Sequence, residues 1–128
     1  MELEDLIQAI ERSWNQDTSS DPDNWYKENP AWGQCAVTAC VVNDYLGGKI
    51  VWAEALLPDG RTISHYFNNI NGNELDLTRK QFPEGTTIPK GVDKKKQFNS
   101  TRDYVLSFEK TKNRYSLLKK RVEDYLKR

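Results

Sequence analysis

Apolar residues at Leu3, Leu6, Ile7, Ile10 and Trp14 recur every three or four positions. That is the spacing of one buried helical face, and it predicts an amphipathic helix over residues 2–14. The stretch NQDTSSDPDNWYKENP follows, polar and interrupted by Pro22 and Pro30. It reads as a long loop, and Trp25 and Tyr26 are expected to pin it to the body.

Between Gln34 and Leu46 the apolar positions Ala36, Val37, Ala39, Cys40, Val41, Val42, Tyr45 and Leu46 run almost all the way round a helical wheel. A helix of that kind is buried, here against a sheet. Gly47-Gly48 supplies the positive-φ stop that such a helix needs.

The pattern then shortens to strands. KIVWAEALL is the first, the PDG turn at 58–60 hands over to RTISHYFNNI, and NGN at 71–73 reverses the chain into ELDLT. Three strands joined by tight turns predict an antiparallel meander. Beyond Phe82, the punctuation at Pro83, Gly85, Pro89 and Gly91 and the polar DKKKQFNSTRD read as loop. YVLSF fits a short strand or a short helix. The last helix is marked by Tyr115, Leu117, Leu118, Val122, Tyr125 and Leu126 at helical spacing. Helix, buried helix, meander and helix imply one α+β domain over residues 1–128, with helices packed on a small antiparallel sheet.

Composition narrows the function classes. Lys plus Arg and Asp plus Glu number nineteen each, so no general charge pull toward nucleic acid or an acidic membrane is expected. No apolar run reaches the length of a membrane span, and MELEDLIQAIERSW lacks the pattern of a signal peptide, so a cytoplasmic location is expected. In that setting Cys35 and Cys40 are not expected to form a disulfide. On one helix they also point about 140° apart at roughly 100° per residue. With no CxxC pair and only His65 as imidazole, a closed Cys/His metal site cannot be assembled, and no metal or other cofactor is expected.

One set of residues carries possible chemistry: Cys35 opening a helix, His65 on the second strand and Asp76 on the third. A thiol attacks as thiolate, and unpaired N–H groups in the first turn of a helix favour the anion and could hold an oxyanion. An imidazole would exchange the proton, and a carboxylate on its other nitrogen would fix the ring. If Asn71-Gly72 is a two-residue turn, Ile70 pairs with Asn73, Asp76 falls opposite Phe67, and His65 lies diagonal to it on the same face. Each residue also has a plainer reading. Cys35 could be a small buried hydrophobe, His65 a satisfied strand residue, and Asp76 a solvent-facing charge or a cap for the turn that follows.

The order Cys, His, Asp resembles the papain-like cysteine-enzyme superfamily, and GQC opening a helix resembles the nucleophile segment of transglutaminases. NPAWGQCAVTACVVNDYLGGKIV, SHYFNNINGNELDLTRKQF and TKNRYSLLKKRV more closely resemble the YunG-type family of small bacterial proteins, over roughly residues 10–125. The superfamily resemblance implies a papain-like core with the nucleophile, Cys35, at the N-terminus of a buried helix, His65 as base and Asp76 as orienting carboxylate. Two departures stand beside it: the Cys35–Asp76 interval is shorter than in papain or transglutaminases, and papain's upstream oxyanion glutamine has no match. Gln34 and Trp32 are the candidates for oxyanion and substrate contacts.

The function these readings imply is acyl transfer, or hydrolysis of an amide or peptide, through a Cys35 thioester, with a peptide, protein or acyl compound as substrate. The competing class is a non-enzymatic binding module on the same scaffold.

Overall fold

A computed structural model describes residues 1–128. The elements run α1 (Leu3–Ser13), α2 (Cys35–Leu46), β1 (Lys49–Leu56), β2 (Thr62–Ile70), β3 (Asn73–Leu75), α3 (Thr101–Leu106) and α4 (Glu109–Leu126), with three single 3-10 turns between them. No helix is long and apolar enough to cross a membrane.

Each helix follows from its pattern. α1 buries Leu6, Ala9 and Ile10 along one stripe, and the Asp5 carboxylate accepts from the Glu2 N–H at its start. α2 buries six consecutive residues, Val37 to Val42, because it is covered by β2 on one side and α4 on another. α4 contributes Tyr115, Leu118 and Val122 to the same core, which joins α1, α2 and α4 with Ile50 of the sheet. YVLSF resolves as the last turn of α3, Tyr104–Leu106, with Ser107 and Phe108 joining it to α4. Ser100 caps α3 by accepting from the Asp103 N–H, and Thr101 and Val105 are buried one turn apart.

The sheet is a three-stranded antiparallel meander in the order β1-β2-β3. Asn71 and Gly72 both take positive φ, as a tight primed turn requires, and Ile70 pairs with Asn73. Strand alternation gives the sheet two covered faces. Ile50, Tyr66 and Ile70 pack against the helices, while Val51, Ala53, Ala55 and Phe67 face the other way.

The sequence pattern left that second face without a cover. The structure supplies one from Phe82 and the residues beyond it to Val92, read above as plain loop. Phe82 and Ile88 lie on the second face, and the backbone bridges β1 at Trp52–Val92 and Leu56–Thr87. Gly91 is needed there because a Cβ would stand 2.3 Å from Val51 Cγ2.

β3 ends earlier than the ELDLT pattern suggests. The Asp76 carboxylate accepts from the Thr78 N–H at 3.3 Å, a local turn that competes with continuing the ladder, and the 3-10 turn Arg79–Gln81 follows. β2 from Phe67 back to Thr62 therefore has no strand on this edge.

Candidate functional site

Cys35 is the first residue of α2 and is half-buried. Its entry is fixed by Gly33, whose φ of +75° and 2.2 Å approach of a would-be Cβ to Ser19 Oγ exclude other residues. The Gly33 carbonyl accepts from Ser20 N–H at 2.9 Å, and its N–H donates to Gln81 Oε1 at 3.1 Å. The long loop after α1 and the turn after β3 are thereby laced to the residue just before Cys35. Amides of Cys35, Ala36 and Val37 have no acceptor within the chain, as the first turn of a helix leaves them.

His65 is fully buried. Its ring stacks on Phe67 at 5.4 Å and meets the edge of Phe82 at 5.0 Å. Nε2 donates to Asp76 Oδ2 at 2.7 Å, and the other Asp76 oxygen accepts from Thr78. With Nε2 engaged, the remaining ring nitrogen, Nδ1, is buried and without a hydrogen-bond partner. Burial alone would pull the imidazole pKa down. The hydrogen bond to Asp76, and Cys35 close beside the ring, raise it instead to about 9.

Cys40 lies five residues further along α2, in the apolar core, and burial pushes its thiol up to about 12. It is chemically the plain hydrophobe of the two. No group of three or more His, Cys, Asp or Glu side chains is placed to hold a metal ion.

The other two residues singled out from the sequence lie apart from this group. Gln34 is fully buried with its Nε2 donating to the Asn15 carbonyl at 2.9 Å and its Oε1 unpartnered. Trp32 donates from its indole to Asp21 at 3.0 Å and lines a separate depression with Tyr26, Arg61 and Phe82. The depression that contains Cys35 measures about 340 Å³ and is walled by Tyr66, Tyr104, Val105, Phe108 and Arg114. These residues were missed in the sequence. Tyr104 and Phe108 carried a signal as the aromatics that begin and end YVLSF, but nothing in their spacing shows that α3 and α4 dock beside Cys35.

The molecule is thus a small α+β protein in which a half-buried cysteine opens a helix beside a buried, carboxylate-bound histidine. Residues 2–127 match the family described as YunG protein, and the chain belongs to that family. It is 35% identical over 80 residues to a protein of Bacillus subtilis strain 168 titled "Uncharacterized protein YunG". The aligned stretch spans 62% of this chain and 63% of that relative. No solved structure matches.

Proposed function

We propose that the chain is a cysteine-dependent acyl transferase or amide hydrolase on a papain-like core, with Cys35 as nucleophile. The observation that carries this reading is the His65 ring: one nitrogen is bound to Asp76, the other is buried and unpartnered, and Cys35 lies close beside the ring. The Cys35 proton would rest on His65 Nδ1, giving a thiolate beside an imidazolium, and the sulfur would attack a carbonyl carbon as that thiolate. The oxyanion would be met by the free amides at the start of α2, because the Gln34 Nε2 is engaged with the Asn15 carbonyl. His65 would return the proton to the leaving amine or thiolate, leaving a Cys35 thioester. Water or an amine would then attack that thioester, giving up its proton through His65 and restoring the thiol.

The test is acylation by p-nitrophenyl acetate followed by intact mass and peptide mapping. One acetyl group on Cys35, with turnover abolished in Cys35→Ser and strongly reduced in His65→Gln, is the expected result. No adduct on Cys35 of the folded protein would refute it.

A second reading has its own support. His65 has no exposed surface, and no Asn or Gln lines the depression at Cys35. Both features suit a binding module that keeps the scaffold and holds a partner in the aromatic depression without turning it over. Under that reading the acetyl adduct does not form, yet an apolar ligand still protects Cys35 from alkylation.

A further inference from the structure

Three arginines of the chain are half-buried: Arg102, Arg114 and Arg121. Two have carboxylate partners, Arg102 with Asp44 at 2.8 Å and Arg121 with Asp17 at 2.6 Å. Arg114 has none. Its one hydrogen bond goes to the Thr111 hydroxyl at 3.2 Å, and its Nε is buried and unpartnered. A guanidinium taken partly out of water without an anion is costly and is ordinarily matched by one.

Arg114 stands in the wall of the Cys35 depression. No Asp or Glu lines that depression, and its second cation, Lys94, already sits over the Trp52 ring at 4.2 Å. The rest of the wall is mostly apolar and aromatic, with Ser20, Ser64 and Thr111 as its hydroxyls. A site with one uncommitted planar fork, an apolar lining and a cysteine matches a ligand with an apolar body and a carboxylate.

We propose that Arg114 makes this depression a receptor for a carboxylate-bearing acyl group, so that Cys35 acts on acyl donors carrying a negative charge next to an apolar part. The inference rests on the reading of Cys35 as nucleophile. It assigns Arg114 to the substrate and not to the sulfur.

Two alkylating agents that differ in charge at the same reacting carbon separate these roles. With either iodoacetate or iodoacetamide, the Cys35 sulfur, its proton held on His65, forms a bond to the CH₂ carbon as iodide leaves. In Arg114→Gln, the ratio of the iodoacetate rate to the iodoacetamide rate at Cys35 is expected to fall about tenfold, the size of one charge-assisted fork contact. Arg114→Lys keeps the charge but not the fork and should fall between. It carries the test by itself if the glutamine variant does not fold. Equal loss of both rates, or no loss, overturns the proposal, because Arg114 would then act on the thiol or on neither.

Inertness of native Cys35 to both reagents would strike the nucleophile reading instead. The receptor would then be judged by titrating Cys35→Ser with benzoate and with benzamide. Shifts of the Tyr104 and Phe108 resonances with benzoate alone, abolished by Arg114→Gln, would sustain it. Equal shifts with both compounds, or none with benzoate, would end it.

Discussion

His65 and Asp76 meet at 2.7 Å although Asp76 lies outside the sheet, one residue beyond the last ladder pair of β3. Continuing the β2–β3 register places Asp76 opposite Phe67, two residues from His65 and on the same face. The carboxylate reaches back along that face to the imidazole. It is held there by the Thr78 N–H, so the turn that ends the strand also aims the carboxylate.

The pair sets the charge of the ring. His65 is the only imidazole in the chain, so its proton NMR titration is unambiguous and is expected near about 9. Asp76→Asn should move it down toward the ordinary value of about 6.5. Because the folded-state value is raised, the associated stability is fully present below about 6.5 and is lost as the pH climbs through about 9. The advantage of the native chain over Asp76→Asn in thermal melts should therefore shrink across that window. Titration near 6.5 in the native chain would contradict the assignment.

Cys35 and Cys40 should separate completely in their chemistry. The Cys40 thiol is inaccessible and pushed up to about 12, while Cys35 borders an open depression. Iodoacetamide under native conditions is expected to label Cys35 alone, faster by about a hundredfold or more. Mass spectrometry after tryptic digestion reads both sites. Comparable labelling of the two would place Cys35 in the same structural role as Cys40.

His65→Gln keeps most of the ring's volume between Phe67 and Phe82 but removes the imidazole. If the imidazole serves the thiol, Cys35 alkylation near pH 7 should slow by about tenfold or more, with a smaller loss of the same sign in Asp76→Asn. Unfolding midpoints of both variants establish that the fold survives. An unchanged rate in folded His65→Gln would remove His65 from the site.

Trp32 and Phe108 should show opposite behaviour. Trp32 is tied to Asp21 and packs beside Ile63 on the second face of the sheet, so Trp32→Ala is expected to cost about 1–3 kcal/mol and leave Cys35 labelling unchanged. Phe108 is 52% exposed beside the depression. Phe108→Ala should alter stability by about 0.5 kcal/mol or less while weakening capture of an aromatic acyl probe at Cys35. Denaturant melts and labelling rates on the two variants decide it. A labelling loss in Trp32→Ala would restore that residue to the site.

These contrasts follow how far the sequence could be read. The meander and its register were legible because Asn71-Gly72 permits one tight turn and the alternation around it leaves no choice of face. The buried character of α2 was legible from its unbroken apolar run and the Gly47-Gly48 stop. YVLSF was not, since five residues are too few to show a period, and the Ser100 cap and the docking of Val105 on the core decide it. Residues 86–92 were hidden because they touch β1 only through isolated bridges and punctuating residues such as Gly91. The His65–Asp76 contact could be anticipated from strand parity, and the place of Cys35 at the start of α2 from the apolar run after it. The inward turn of Gln34 depends on a carbonyl nineteen positions away, at Asn15, and the wall of Tyr104, Phe108 and Arg114 depends on the docking of α3 and α4. Neither leaves a local trace.

The two-residue turn at Asn71-Gly72 acts as a gauge block between His65 and Asp76. Its length can grow by a matched residue on each side without disturbing any pair below it. A single inserted residue in β3's arm would instead rotate Asp76 onto the helix-facing side and strip His65 of its carboxylate, even with both residues intact. Length changes at this hairpin tip therefore divide by parity: even ones compatible with the His65–Asp76 contact, odd ones only where a bulge absorbs the extra residue.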